Sequence, residues 1–162
     1  KKGPDDAPKA LKGAYKSFAK GDYAKAMAEL EKVAASGDED AAAAEALAKT
    51  FTKDLEAKFK RVDWMLENAY LIEAESLFEA LEKDVKGLTD FEERAAKLAE
   101  TFDEAAMKDE LKLAKSYAKI ESTLAEKGLD EKALKKLEKF VEKNAEAKVA
   151  VRGERLLKLG KK

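Results

Sequence analysis

The chain has 162 residues and a formal net charge of −1, and alanine, leucine, glutamate and lysine dominate its composition. This length is typical of one domain with a substantial core, and the composition is typical of long helices. Cysteine and histidine are both absent, which excludes disulfides and thiol nucleophiles and removes the commonest general base and nitrogen ligand for metals. We therefore expect an all-α protein that is not an enzyme and has no cofactor or metal.

Charge is segregated along the chain although the total is close to zero. The net charge is +2 over residues 1–61, −10 over residues 62–110 and +7 over residues 111–162. These opposite charges allow the acidic middle and the basic end either to attract each other or to face different partners.

The sequence contains no apolar run long enough to cross a bilayer and no hydrophobic signal segment. We expect a soluble chain without a membrane span, and the absence of cysteine leaves the compartment open. Because the chain begins with Lys1-Lys2 rather than methionine, we expect the native polypeptide to be longer or to have been processed. Export with a leader that is absent from this chain is compatible with that start.

The first two helices are predicted to form a hairpin. Residues 7–20 place apolar side chains at the i, i+3, i+4 and i+7 spacing of one helix face, and Gly21 ends this helix. Asp22 is the predicted N-cap of a second helix over residues 22–35. Helices joined by so short a turn must pack antiparallel.

Residues 38–86 contain neither glycine nor proline, and their apolar positions keep helical spacing except near Glu67-Asn68-Ala69-Tyr70. We place a turn there, which divides the segment into two helices. A continuous rod is the alternative. Its exposed apolar stripe would favour a homodimer, whereas the divided form favours a compact monomer.

Four more helices are predicted after Gly87. Thr89-x-x-Glu92 and Thr101-x-x-Glu104 each match the capping box that opens many helices, and Gly128-Leu129-Asp130 has the composition of a turn. The predicted helices are one that starts at Thr89, one that extends from Thr101 to Lys127, one over residues 130–144 and one over residues 146–159.

One pattern recurs in three helices: an alanine, a large apolar residue four positions later and another apolar residue three positions after that. It occurs in residues 26–33, 74–81 and 133–140. The pattern resembles the second helix of the tetratricopeptide repeat (TPR). The alanines lie 48 and 59 residues apart, compared with about 34 residues in that family, so the resemblance implies three degenerate hairpins with longer first helices.

The resemblance implies an all-α fold of antiparallel helical hairpins, stacked as a short TPR-like solenoid of seven or eight helices. It would form a single domain over residues 7–160, preceded by a flexible N-terminal segment of residues 1–6. Such folds present a concave surface of first helices to a protein or peptide partner. We therefore expect a non-catalytic protein-interaction scaffold. The candidate partner contacts are exposed residues of the first helices: Lys12, Lys16, Lys112 and Lys119.

A second resemblance suggests an alternative function. The runs Lys20–Tyr23, Glu73–Leu81 and Lys127-Gly128 are similar to helical tails that follow thioredoxin-like domains in some bacterial redoxin proteins. This resemblance implies an accessory or oligomerisation region of a larger enzyme. Any redox centre would lie outside these residues, because the chain has no cysteine.

Three charged clusters are better explained as solvated helix faces than as binding sites. The carboxylates of residues 73–79 and 90–93 lack the Asp-x-Asp-x-Asp-Gly loop that arranges ligands around a hard cation. The lysines of residues 135–143 are interleaved with glutamates, and no aromatic ladder for base stacking accompanies them. We therefore expect no nucleic-acid partner.

Trp64 and Tyr70 are the other candidate contacts. Aromatic side chains bury large areas either in a core or in an interface. Their apolar neighbours Met65 and Leu66 favour core packing for both.

Overall fold

The computed structural model describes residues 7–128 and 130–160, and within these ranges it contains eight α-helices, one 3-10 turn and no strand. The all-α class and the expected number of helices are therefore confirmed. The predicted flexible segment of residues 1–6 and Leu129 of a predicted turn lie outside the described residues. The helices are α1 (Lys12–Ala19), α2 (Tyr23–Ser36), α3 (Ala41–Glu67), α4 (Leu71–Asp84), α5 (Thr89–Asp103), α6 (Ala105–Lys127), α7 (Glu131–Lys143) and α8 (Ala150–Gly160).

The predicted hairpin of α1 and α2 is present, and the two helices pack together. The 3-10 turn Lys9–Leu11 precedes α1, so regular α-helix begins later than the spacing predicts. Asp22 is the N-cap of α2 as predicted, and its carboxylate accepts a hydrogen bond from the Lys25 amide at 3.2 Å. Gly21 has φ +80°, a conformation that glycine adopts without a steric penalty.

The turn predicted within residues 38–86 separates α3 from α4, so this segment forms two helices rather than one rod. The α3 helix ends in a Schellman motif, in which Ala69 takes the left-handed conformation with φ +61° and the Tyr70 amide donates to the Met65 carbonyl at 2.8 Å. Alanine is uncommon at this position because its Cβ disfavours positive φ.

Two predicted boundaries and one predicted capping bond differ from the structure, although α5 begins at Thr89 as predicted. The helix start expected at Thr101 is wrong because α5 continues to Asp103, and Glu104 is the N-cap of α6 without a side-chain capping bond. The last helix begins at Ala150 rather than near residue 146, because residues 144–149 form turns. A capping box would join the Glu92 carboxylate to the Thr89 amide. The Glu92 carboxylate instead accepts a hydrogen bond from the Gly87 amide, two residues earlier, at 2.9 Å.

The described residues group into two compact units. Unit 1 contains those up to Arg61 together with Leu77–Ala99, and unit 2 contains Val62–Ser76 and those from Glu100 onward. The helices α3, α4 and α5 each contribute residues to both units.

Unit 1 has an apolar core in which small and aromatic residues interlock. Ala14 and Ala26 are both fully buried, which allows α1 and α2 to approach closely. Phe18 and Phe51 stack with ring centroids 3.8 Å apart. The buried members of this core cluster are Leu11, Ala14, Ala26, Leu30, Ala44, Leu47 and Phe51.

In unit 2, the contact of α8 with α6 and α7 requires a glycine. A Cβ at Gly153 would lie 2.5 Å from Val141 Cγ2 and 3.3 Å from Leu137 Cδ1, and Tyr117 is also adjacent. Val141 and Leu137 belong to α7 and Tyr117 to α6, so Gly153 lets three helices pack without a gap.

Two helical glycines give a matched test of this packing. Gly153→Ala should destabilise the protein by about 1–2 kcal/mol, because the added methyl overpacks a rigid contact. The stability of Gly13→Ala should lie within about 0.5 kcal/mol of the wild type or above it, because the added Cβ meets only the far end of the flexible Glu29 side chain and alanine favours helix. Denaturant unfolding of both variants measures the difference, and equal effects would contradict this account of the α8 contact.

Candidate protein-interaction surface

The four predicted lysine contacts are all exposed. Lys12 and Lys16 lie one turn apart on α1 in unit 1, and Lys112 and Lys119 lie two turns apart on α6 in unit 2. Lys112 forms an ion pair with Asp109 at 2.8 Å. The structure therefore provides two separate lysine pairs.

Trp64 is 51% exposed, so its predicted place in the core is wrong. The inward face of α3 includes the buried residues Phe59 and Val62. Trp64 lies only two positions after Val62, and residues two apart do not share a helix face. Its large apolar ring therefore lies outside the core, with about half of the residue's surface exposed to solvent.

Trp64 is the outer member of a column of stacked groups in unit 2, which we call the Arg152 stack: Trp64, Tyr70, Arg152 and Tyr117. The Trp64 and Tyr70 rings are stacked with centroids 5.4 Å apart. The Arg152 guanidinium carbon lies 4.1 Å from the Tyr70 ring centroid and 5.2 Å from that of Tyr117. These are favourable cation–π distances.

The polar groups of Arg152 are also partnered. Its side chain is only 15% exposed, and it donates to both carboxylate oxygens of Glu121 at 3.0 and 3.1 Å. A further bond reaches the Ala69 carbonyl at 3.4 Å. Burial, followed by the nearby Glu121 carboxylate, raises the pKa of Tyr117. Arg152 thus connects α8 to α6 and to the turn that follows α3.

A small depression lies beside the turn. It has a volume of about 220 Å³ and is lined by Leu66, Glu67, Asn68, Ala69, Lys148, Val151 and Arg155. Trp64 precedes Asn68 by one helical turn, and residues spaced in this way share a helix face.

One face of α8 continues the apolar surface. Val151, Arg155 and Leu159 are spaced four residues apart and therefore lie along one side of the helix; Val151 is 48% exposed and Leu159 is 61% exposed. Together with Trp64, these are the large hydrophobic residues that are exposed in the described part of the chain. We call Trp64, Leu66–Ala69, Lys148, Val151, Arg155 and Leu159 the α3–α8 surface.

The sequence indicated this surface only indirectly. Helical spacing assigns five residues to the inward face of the last helix: Val149, Ala150, Gly153, Leu156 and Leu157. Val151 and Leu159 fall outside that face, and this exclusion is the one signal in the sequence that could have identified them as surface hydrophobics.

A polar network in unit 1 connects α2, α3 and α4. The Lys58 ammonium donates to the Tyr23 hydroxyl at 2.6 Å and to Asp84 at 2.8 Å, and the Tyr23 hydroxyl donates to Asp54. Burial and the Asp54 bond raise the pKa of Tyr23 to about 12. Burial lowers the pKa of Lys58, but the bonds to Asp84 and Tyr23 outweigh it and raise that pKa overall. At neutral pH this network therefore has a protonated phenol and a charged amine, neither of which is a base.

Among the described residues, no three carboxylates converge on a point where a metal ion could bind, and none of their helices has the length and apolarity needed to cross a membrane. A depression on α3 is lined entirely by that one helix, from Glu45 to Glu56, so it cannot surround a small molecule.

No protein-family model, curated protein or solved structure matches this chain.

The polar network gives a pH-dependent prediction. Because Tyr23 retains its proton up to a pKa of about 12 in the folded chain but ionises near its ordinary pKa of about 10 when unfolded, its contribution to stability is complete below pH 10. That contribution is lost as the pH rises towards 12. The free energy of unfolding should fall more steeply in the wild type than in Tyr23→Phe, by up to about 1.4 kcal/mol per pH unit. Denaturant unfolding of both proteins between pH 10 and pH 12 measures this difference in the free energy of unfolding. Parallel profiles of the free energy against pH would contradict the raised pKa of Tyr23.

Proposed function

We propose that this chain is a non-catalytic protein–protein interaction scaffold of TPR-like type. The observation that carries the proposal is the α3–α8 surface. The exposed large hydrophobic residues Trp64, Val151 and Leu159 all belong to unit 2, and Val151 lines the depression formed with the end of α3. Exposed large apolar residues in the same unit as such a depression are typical of protein-binding surfaces.

The rigidity of the surface supports the same function. Trp64 stacks on Tyr70, and Arg152 contacts Tyr70 and the Ala69 carbonyl. A fixed aromatic side chain loses little conformational entropy when a partner binds, so more of the contact energy contributes to affinity. Aromatic residues and arginine also dominate the energetics of known protein interfaces.

The TPR-like character of the proposal is supported by the three repeated alanines. Ala26, Ala74 and Ala133 are all buried, as are the large residues four positions later in each helix, Leu30, Phe78 and Leu137. Small residues at these positions let neighbouring helices approach closely, as the hairpins of helical-repeat proteins require.

A protein or peptide is the partner that these surfaces fit best. The depression of about 220 Å³ is smaller than the pockets of about 300–1,000 Å³ that enclose small-molecule ligands. In the lysine-rich helix α7, Lys135 is paired with Glu131 at 2.6 Å, so part of its positive charge is neutralised within the helix, which disfavours a nucleic-acid partner. The partner is either a different protein, bound by a monomer, or a second copy in a homodimer.

Selection from a library of random peptides displayed on phage tests this function. The folded chain should enrich peptides that bind with dissociation constants in the micromolar range, which is typical of single peptide–domain contacts and corresponds to about 8 kcal/mol at 1 μM. Trp64→Ala should weaken their binding by at least about fivefold, because an aromatic contact is removed. Circular dichroism of the variant provides the control for folding.

Two further variants locate the contacts. If K12A/K16A or K112A/K119A weakens binding and Trp64→Ala does not, the partner occupies the first-helix lysines and the scaffold function stands. If the folded protein enriches no peptide and analytical ultracentrifugation shows no self-association, the proposed function is wrong.

A further inference from the structure

We infer that the α3–α8 surface binds an acidic peptide segment of a partner protein, anchored by one large apolar side chain. This inference rests on the proposed function and specifies the chemistry of the partner.

The anchor follows from the size and lining of the depression. About 220 Å³ accommodates a single side chain, and Leu66, Ala69 and Val151 supply apolar walls. Trp64 lies on the same face of α3 as Asn68, which lines the depression. An apolar side chain placed there would remove both its own surface and the exposed face of Val151 from water, which is the main favourable term in such contacts.

The acidic character follows from the charges at the rim. Lys148 and Arg155 line the depression and are exposed, and neither forms an ion pair with another described residue. Glu67 is the one carboxylate in the lining, so two cations face one anion there. The Glu110 carboxylate lies outside the lining and accepts hydrogen bonds from the Lys148 amide at 3.0 and 3.2 Å. By contrast, the neighbouring Arg152 is paired with Glu121. Because neither side chain forms an ion pair among the described residues, both can pair with carboxylates of a bound segment, which increases the association rate and specificity.

The face of α8 extends this pattern beyond the depression. Arg155 lies between the exposed apolar residues Val151 and Leu159, which are eight residues and therefore about 12 Å apart along the helix. A segment that lies along α8 thus meets apolar, cationic and apolar side chains in turn. Its complement is a segment that alternates apolar with acidic residues.

The peptides selected from the phage library provide the test. We expect most of them to contain glutamate or aspartate next to a leucine, isoleucine, phenylalanine or tryptophan. Trp64 is the single tryptophan of the chain, so its fluorescence reports directly on the α3–α8 surface. Titration with synthetic copies of the selected peptides that lack tryptophan should shift or quench this emission, and binding should weaken as salt is added.

Charge reversal tests the role of the two cations. K148E/R155E should weaken peptide binding by about tenfold or more, since two attractions become repulsions. K132E/K136E is the matched control, because it reverses two exposed lysines on α7 and changes the net charge equally. It should alter the affinity by less than about twofold.

The outcomes separate this inference from the proposed function. If the selected peptides are neutral or basic, leave the Trp64 emission unchanged or bind K148E/R155E as tightly as the control, the inference is wrong and the scaffold function stands. If no peptide binds the folded wild type, the inference also fails.

Discussion

A charged guanidinium that lies mostly out of water destabilises a fold unless its charge and its N–H groups are matched. Arg152 meets this constraint through the Glu121 carboxylate, the Ala69 carbonyl and the rings of Tyr70 and Tyr117. These partners come from α6 and from the turn after α3, so satisfying one side chain of α8 fixes the relative positions of three segments of unit 2. The exposed Trp64 ring depends on the same arrangement through its stacking on Tyr70.

The sequence predicted the helices well because their apolar spacing is regular and their starts carry capping residues such as Asp22. It also predicted the turn near residue 68 from a shift of phase. It did not predict how that turn is held, because Ala69 replaces the usual glycine in the left-handed position and its partner, Arg152, lies more than eighty residues later. Long-range partners of this kind leave no local pattern.

The candidate interaction surface was harder to predict than the fold. An amphipathic pattern separates inward from outward positions, and the residue type then suggests burial for tryptophan. At Trp64 the register and the residue type disagree, and the register determines the outcome, since Phe59 and Val62 already occupy the inward side of α3. Such a disagreement marks residues whose exposure is not explained by folding alone, and the same logic applies to Val151 and Leu159 on α8.

The most direct test of the central role of Arg152 is amide hydrogen exchange in the wild type and in Arg152→Lys. Lysine keeps the charge but loses the planar guanidinium, which bonds Glu121 through Nη2 and the Ala69 carbonyl through Nη1. The account predicts that the amides of Asn68 and Tyr70, which bond to Trp64 and Met65, exchange about tenfold faster or more in the variant, reflecting a local loss of about 1.4 kcal/mol. The amides of Ala26 and Val85 in unit 1 should keep their rates. Unchanged exchange at Asn68 and Tyr70, or an equal increase in both units, would contradict it.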